Sequence, residues 1–516
     1  LLWLPRPSVL PSFAANYSIG AVMVSRLQTL LSWNRVQETL VHRNVWVRRS
    51  VALALCLAVG LPIGAILGLL GPLYGSAALI ALAVGAAMLR NVLVGLVAVI
   101  GVICLLPFAA LPVDIGFAPT LLDLALAAVF FVWVSQMASD KDYRFLALPP
   151  ILPVLVFLGL AVVAFVAGLT HSALTANVVR HFGEIILSVL LFVLVTNVVR
   201  TRQQLKLVVG VLIVAGFLAA LVGVVLYVLP ETLQIRLLSA LRVVRYPTSD
   251  VIRYIEDNPD LQQRATSTSV DPNVLGGLLI FVAAITGAQL VAARPILPRG
   301  WLAVAFLVVG LCMVLTYSRG AFGGMAAALV LLGLLRYRRM LLIFLGIAAL
   351  LLLLPAARPF IERFVEGVQG QDLATQMRFG EYRDAITLIS RYPWFGVGFA
   401  GTPDIDTYLG VSNVYLLIAE EMGLIGLAGF LVALGRFLAL FVSTWRRRAV
   451  DAELEPILLG CCLAVVGAMV GGLFDHYFFN LNFPHAAALL WLVVGLGAVA
   501  MRLGEEGAAG VQRTPR

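Results

Sequence analysis

The chain has 516 residues, of which 61% are hydrophobic and 12% charged, and its mean hydropathy is +1.00. Soluble domains average roughly 45–50% apolar and about 25% charged residues, so this composition excludes a set of soluble domains and predicts a polytopic membrane protein. The net charge of +9 does not indicate a nucleic-acid partner, because basic residues at the ends of spans follow from the positive-inside rule.

Apolar windows of about 20 residues predict an all-α bundle of about 14 transmembrane helices within residues 50–503. Residues 1–49 are predicted to form a cytoplasmic segment, in which SRLQTLLSWNRVQETL has the spacing of an interfacial helix. Residues 504–516 are predicted to form a cytoplasmic tail. The predicted spans lie at roughly 51–70, 73–89, 91–111, 118–137, 148–169, 183–199, 206–229, 273–292, 301–317, 320–335, 339–357, 412–443, 455–474 and 485–502.

The distribution of basic residues predicts the orientation. With the N-terminus inside, every predicted cytoplasmic connection carries at least one basic residue, whereas the short outer connections GPLY and LPVDIGFAP carry none. This pattern predicts a location in the inner (cytoplasmic) membrane with both termini in the cytoplasm. Two long hydrophilic connections, 230–272 and 358–411, fall outside and are predicted to be folded caps. In the second of them, helical spacing before a Pro/Gly stop is found at Met377, Ala385, Ile386 and Ile389.

Four short segments of the predicted outer face carry unusual polar residues. They are RATSTSVDPN (264–273), YSRGAFGG (317–324), MRFGEYRDAITLISRYPWFGVGF (377–399) and VSNVYLLIAEEMGLIGL (411–427). The last segment opens a span and yet contains the adjacent glutamates Glu420 and Glu421. An ionised side chain inside a span costs about 2.5–3.5 kcal/mol, so each glutamate should face the bundle interior, pair with a cation or be protonated. Gly423 and Gly426 would permit a local break in this helix.

Together these segments resemble the O-antigen ligase and O-antigen polymerase superfamily of bacterial membrane proteins, which handle undecaprenyl-linked glycans. The resemblance covers residues 260–440. Glu421 stands where members often have Glu, and Ser412 stands where the family has its signature His, the proposed base of the ligases. The matching elements are Arg264 with Pro272-Asn273, the triplet Ser318-Arg319-Gly320, Arg378 and Tyr382 before Pro393, Gly396 and Gly398, and Asn413 with Gly423 and Gly426.

The resemblance implies a bundle like those of the GT-C glycosyltransferases, with two large extracytoplasmic loops. It also implies a metal-independent glycosyltransferase that needs no cofactor. Such an enzyme would transfer a glycan from an undecaprenyl-pyrophosphate donor to a sugar hydroxyl of a glycan or lipid acceptor outside the cytoplasmic membrane. Because Ser412 replaces the signature His, a polymerase or an undefined member is favoured over a ligase.

Transfer from a polyprenyl pyrophosphate requires fixed cations, because negative charge builds on the departing pyrophosphate. Arginine suits this role, since its planar fork binds phosphate oxygens in pairs. Arg319 and Arg378 are the first candidates, and Arg264 and Arg383 are the next. Residues 378 and 383 would lie about 140° apart around a helix, so both face one phosphate only if the helix breaks at Gly380. The alternative for each arginine is an interfacial anchor or a structural salt bridge.

The acceptor hydroxyl must lose a proton, which a base with a near-neutral pKa accepts best. Ser412 is too weak a base by itself, and the candidate substitutes are His476, in DHYFFNLNFPH, and Asp404 or Asp406. The alternative for His476 is an interfacial histidine with satisfied hydrogen bonds, and the spacing in DHYFFNLNFPH fits no recognised metal site. The predicted site is completed by Asn413, as a catalytic residue beside Ser412, and by the substrate-binding residues Asn273, Tyr382, Tyr415 and Glu421.

Two other classes of function remain open. The buried carboxylates Asp123, Glu420 and Glu421 suggest a transporter, and some relatives of the superfamily have been labelled putative bicarbonate carriers. Transporters show repeated halves with interrupted helices at mid-membrane, and the sequence has no such repeat. Ser412 suggests instead a non-catalytic member that binds lipid-linked glycan.

Overall fold

The computed structural model describes residues 45–112, 116–170, 173–247, 251–339, 373–401 and 410–513, with a few isolated positions between 340 and 372. The chain divides into two compact units, Leu1–Ala86 and Ala87–Arg516. The predicted interfacial helix SRLQTLLSWNRVQETL lies outside the described residues, and so does most of the predicted span 339–357.

The described part of the first unit consists of helix α1, Val45–Arg90, as far as Ala86. This helix is interrupted at Gly71, whose backbone angles are φ 75° and ψ 168°. Residues with a Cβ are nearly absent from this conformation. The two spans predicted at 51–70 and 73–89 therefore correspond to the two segments of α1 that flank Gly71.

The second unit is mostly helical. A two-stranded antiparallel hairpin departs locally from the all-α prediction, with Arg253 opposite Arg264 in strands β1 (Arg253–Tyr254) and β2 (Gln263–Arg264). The α-helices among the described residues are α2 (Val92–Leu105), α3 (Leu121–Ser139), α4 (Ile151–Gly168), α5 (Ala176–Val198), α6 (Arg202–Val228), α7 (Glu231–Ala240), α8 (Pro272–Leu290), α9 (Arg299–Leu315), α10 (Arg319–Leu335), α11 (Leu373–Arg391), α12 (Val414–Arg446), α13 (Glu455–Gly471) and α14 (Pro484–Arg513).

Seven of the described helices are long and apolar enough to cross a membrane, namely α3, α4, α5, α6, α8, α12 and α14. Shorter apolar helices include α2, α9, α10 and α13. The chain is therefore a multi-pass, mostly helical membrane protein. The larger number of about 14 spans and the likeness to GT-C bundles stay predictions.

Both long hydrophilic connections contain ordered structure. The first, 230–272, holds α7 and the β1–β2 hairpin, and the second, 358–411, holds α11. The helix predicted from the spacing of Met377, Ala385, Ile386 and Ile389 is confirmed. The side chains of Met377 and Ile386 are 61% and 60% exposed. The buried face of α11 carries Ala385 and Leu388 instead.

Helices α8 and α14 are the most enclosed of the membrane-crossing helices. Small residues allow the helices around them to approach closely, as expected for helix packing in a bilayer. Gly324 of α10 and Gly467 of α13 face each other so closely that a Cβ on Gly324 would collide with the carbonyl oxygen of Gly467. These close contacts hold α10 and α13 together, so that the loops at their ends have fixed positions.

Helix α12 is broken at Gly423, where φ is 68° and ψ is −178°. The break leaves the carbonyl groups of Glu420 and Glu421 without partners inside the helix. The chain after Pro393 supplies these partners, because the amide of Val397 donates to the Glu420 carbonyl at 2.8 Å and the amide of Gly398 donates to the Glu421 carbonyl at 3.0 Å. The glycine-rich turn after α11 therefore satisfies the backbone of the broken helix, as an apolar environment requires.

Three of the connections that were predicted to be cytoplasmic contact one another at one end of the bundle. Arg202 forms an ion pair with Asp451, and Lys206 forms one with Glu453. The backbone carbonyl of Arg144 accepts a hydrogen bond from Arg200, with a distance of 2.8 Å between the Arg200 Nη2 and the oxygen. The predicted inner connections 140–144, 200–206 and 445–453 therefore lie at the same end.

Candidate active site

The four polar segments singled out in the sequence meet at the other end of the bundle. Helices α8, α10 and α12 begin there, and α9 and α13 end there. The amide of Ala265 donates to the carbonyl of Leu315 at 2.8 Å, which joins the first segment to the end of α9. The amide of Val414 donates to the carbonyls of Gly472 at 2.9 Å and Asp475 at 3.1 Å, which joins the start of α12 to the connection between α13 and α14.

Arg264, at the end of β2, is fixed by two neighbours. Its Nε donates to the Thr316 carbonyl at 2.8 Å, and its Nη2 hydrogen-bonds the side-chain oxygen of Asn273. Asn273 is in turn fixed by the N-terminal cap of α8, because the backbone amide of Asn273 donates a hydrogen bond to the Asp271 carboxylate at 2.7 Å. Burial lowers the pKa of Arg264, and the nearby Asp271 opposes this shift. The predicted association of Arg264 with Pro272-Asn273 thus corresponds to a direct contact.

Arg319 begins helix α10, which is capped by the Ser318 hydroxyl at 3.3 Å from the Ala321 nitrogen. The Nη1 of Arg319 donates to the Thr375 hydroxyl of α11 at 3.0 Å. Gly320 packs against Asp475 so closely that a Cβ at this position would collide with the carboxylate. The glycine after Arg319 therefore allows a carboxylate from the α13–α14 connection to approach the start of α10.

Asp475 lies at the centre of this cluster. Its Oδ1 is 3.6 Å from the Nη2 of Arg378 and accepts a hydrogen bond from the Tyr477 hydroxyl at 3.0 Å. Tyr477 also hydrogen-bonds the side chain of Asn273. Burial raises the pKa of Asp475 to about 7, although the positive charge of Arg378 acts in the opposite direction. The network thus connects Arg378 on α11 with the Arg264–Asn273 pair.

Helix α11 presents Arg378, Glu381 and Tyr382 toward the start of α12. The Glu381 Oε2 accepts a hydrogen bond from the Ser412 amide at 2.9 Å, and Tyr382 hydrogen-bonds the side chain of Asn413. The helix runs without a break through Gly380. Arg383 lies on its exposed face, so the structure does not bring this arginine into the cluster.

Three further predicted site residues lie at the start of α12 or within it. Asn413 caps the helix through its Oδ1, 2.9 Å from the Tyr415 nitrogen, and its Nδ2 donates to the Leu473 carbonyl at 3.0 Å. The Tyr415 hydroxyl donates to the Met469 carbonyl of α13 at 2.6 Å. Glu421 is buried next to the break at Gly423. The contacts of Asn413 and Tyr415 fix the start of α12 at the base of the cluster.

His476 follows Asp475 and reaches the chain just before Ser412. Its ring forms a hydrogen bond with the Val411 carbonyl, and its Nδ1 has no hydrogen-bond partner among the described residues. Burial lowers the pKa of His476, whereas the carboxylate of Glu381 raises it. The two alternative bases from the sequence, Asp404 and Asp406, lie outside the described residues.

Sequence reasoning did not assign roles to Asp475, Glu381, Asp271 or Tyr477. The signal for Asp271 was its position directly before Pro272, where an aspartate caps a helix. No comparable local signal marks Asp475 and Glu381, because their partners come from distant parts of the chain. Within the described ranges, no group of three or more His, Cys, Asp or Glu side chains is arranged to hold a metal ion.

The central part of this site matches a known family. Residues 303–431 fit the sequence profile of a family described as O-antigen ligase. These residues are therefore similar to an O-antigen ligase domain. They include Arg319, Arg378 and Asn413, whereas Arg264 and His476 lie outside the matched range. The match supports a membrane protein of the glycan ligase or polymerase type and does not favour a transporter.

Two further comparisons do not extend this match. No curated protein matches the chain. The chain is similar to one in a solved structure titled "Structural coordination of polymerization and crosslinking by a peptidoglycan synthase complex". The two chains are 18% identical, the similarity covers 70% of this chain and 98% of the other, and the TM-score is 0.37.

Proposed function

We propose that this protein is a membrane glycosyltransferase that moves a glycan from an undecaprenyl-pyrophosphate donor to a sugar hydroxyl of a glycan or lipid acceptor. One observation carries the proposal: three arginines from separate segments of the chain lie at the same end of the bundle, and two of them interact with Asp475. Arg378 is paired with this carboxylate, Arg264 interacts with it electrostatically, and Arg319 lies next to Gly320, which packs against it. The residues that match the O-antigen ligase family include two of these arginines, which supports the assignment.

The arginines suit a pyrophosphate leaving group. In the transfer, the oxygen of the acceptor hydroxyl bonds to the anomeric carbon, and the bond from that carbon to the pyrophosphate oxygen breaks. The electron pair stays on the polyprenyl pyrophosphate, whose negative charge rises as the bond lengthens. Guanidinium groups keep their charge in a partly buried site and bind two phosphate oxygens at once, so they stabilise the charge that develops in the transition state.

Backbone groups add to this positive field. The N-termini of α8, α10 and α12 are at the same end of the bundle as the arginines. A helix N-terminus carries a partial positive charge of about half an elementary unit. Three of them beside the arginine cluster favour the pyrophosphate further.

The proposed site faces the extracytoplasmic side. The connections rich in basic residues lie at the opposite end of the bundle, and the positive-inside rule assigns that end to the cytoplasm. A donor that presents its pyrophosphate at the outer surface of the inner membrane would therefore meet the arginines. The acceptor would approach from the same side.

The test is a transfer assay with the full chain in detergent. An undecaprenyl-pyrophosphate oligosaccharide is the donor, and formation of a longer or transferred glycan is followed for the wild type, Arg319→Ala, Arg378→Ala and Arg383→Ala. We expect each of the first two substitutions to lower the rate about 10²–10³-fold, as does removal of one transition-state donor elsewhere. Arg383 lies on the exposed face of the same helix as Arg378, so Arg383→Ala should behave like the wild type. Absence of product, or product unaffected by the first two substitutions, would contradict the proposal.

A further inference from the structure

The connection between α13 and α14 brings a histidine to the start of α12. The Val414 amide donates to the carbonyls of both Gly472 and Asp475, which anchors this connection. His476 follows directly, and its ring forms a hydrogen bond with the Val411 carbonyl. An imidazole therefore lies beside residues 411–413, among the arginines of the proposed donor site.

The hydrogen bond to Val411 selects one tautomer of His476. A backbone carbonyl only accepts hydrogen bonds, so the ring nitrogen that bonds Val411 must carry the proton. In a neutral imidazole the other nitrogen then has a free lone pair. This nitrogen is Nδ1, which is buried and has no hydrogen-bond partner within the described part of the chain. An enclosed acceptor without a donor is a position that a hydroxyl group can satisfy.

Charged groups from two other elements face this ring. Glu381 and Arg378 do so from α11, and Asp271 does so from the cap of α8. Both carboxylates favour a protonated imidazole, whereas Arg378 opposes it. Glu381 is itself fixed, because its Oε2 accepts the Ser412 amide at 2.9 Å. The carboxylate is thus placed to stabilise the imidazolium once the ring has taken a proton.

We propose that His476 is the general base of the transfer reaction and that Glu381 is its positioning residue. The inference rests on the proposed function. Nδ1 of His476 takes the proton of the acceptor hydroxyl while its oxygen attacks the anomeric carbon and the polyprenyl pyrophosphate departs with the bonding electrons. The imidazolium then releases the proton to water, and the enzyme returns to its starting state.

The other described histidines are placed differently. The ring of His181 is bonded by Arg180, with 2.7 Å between Nη2 and Nε2, and His485 is enclosed beside the ring of Phe108 at a centroid distance of 4.9 Å. Neither has contacts with the arginine cluster among the described residues. The Ser412 amide is committed to Glu381. Of these three imidazoles, His476 is the one that interacts electrostatically with an arginine of the cluster, Arg378.

The experiment compares transfer and donor binding in the full chain, using the wild type, His476→Ala, Glu381→Gln and Asn482→Ala. Asn482 is exposed in the same connection, so Asn482→Ala is the matched control and should keep the wild-type rate. We expect His476→Ala to lower the transfer rate about 10²–10⁴-fold and to leave binding of labelled undecaprenyl-pyrophosphate oligosaccharide unchanged. Glu381→Gln should shift the acid limb of the pH–rate profile to lower pH, because it removes a charge that favours the protonated ring.

The outcomes separate this inference from the proposed function. A wild type that forms no product would overturn the proposed function and the inference with it. If the wild type and His476→Ala are both active, only the role of His476 as the general base is overturned. Loss of donor binding in His476→Ala would also overturn it, since the role would then be structural, and an unshifted acid limb in Glu381→Gln would overturn the role of Glu381.

Discussion

Substitution of Gly423 by alanine tests the broken helix that supports the site. The φ of 68° and ψ of −178° at this residue belong to a region that is essentially restricted to glycine, and other residues lose about 1–3 kcal/mol there. A Cβ would also collide with the Trp394 carbonyl and the Phe395 amide. Because both belong to backbone, the turn after α11 would have to move. We expect Gly423→Ala to lower stability by at least this amount.

Gly435→Ala is the matched control within the same helix. Gly435 has no atom within 4 Å of the position a Cβ would occupy, and alanine is favoured over glycine in a helix interior by about 0.5–1 kcal/mol. Thermal unfolding of the two purified variants in detergent, beside the wild type, measures the difference. Gly423→Ala should melt below the wild type and Gly435→Ala at or above it. If Gly423→Ala melts as high as Gly435→Ala, the break does not require glycine and the account of the turn is wrong.

Two other predictions concern charge and orientation. Since burial raises the pKa of Asp475 to about 7, the folded protein keeps this proton at pH values where an unfolded aspartate, with a pKa of about 3.9, has lost it. The stability that this protonated group contributes is therefore present below about pH 4 and is lost as the pH rises through about 7. The melting temperature of Asp475→Asn should therefore fall less between pH 5 and 8 than that of the wild type. An equal fall in both proteins would refute the raised pKa of Asp475. For orientation, cysteines are placed at the exposed residues Ser390 and Ala452 after Cys56, the exposed native thiol, is changed to Ser. An impermeant thiol reagent should label position 390 in intact cells and position 452 only after permeabilisation, and the reverse pattern would place the site in the cytoplasm.

The sequence predicted which segments form the cluster better than it predicted the contacts within it. Arg319 begins a helix that an apolar run reveals, and Arg264 lies shortly before another such helix. Arg378 lies in the first half of α11, which has helical spacing in the sequence. The association of Arg264 with Asn273 spans nine residues and is a direct contact. Local patterns were therefore sufficient to find the segments that carry the three arginines.

The remaining contacts depend on long-range packing. Asp475 meets Arg378, which is nearly one hundred residues earlier in the chain, and no local pattern marks this pair. The exposure of Met377 and Ile386 could not be predicted either, because helical spacing alone does not show which face of α11 meets α12. The break in α12 was anticipated from its two glycines, yet only packing against the turn after Pro393 places it at Gly423 rather than at Gly426.

The site is distributed along the chain in a way that bears on how it can be dissected. The match to the O-antigen ligase family ends at residue 431, inside α12, which continues to Arg446. A fragment cut at this boundary would lose Asp475 and His476 as well as α13, against which α10 packs. It would also lack Arg264 and the cap of α8. Complementation with separately expressed halves would therefore have to divide the chain elsewhere, for instance between α6 and α7, where every member of the arginine cluster stays on one polypeptide.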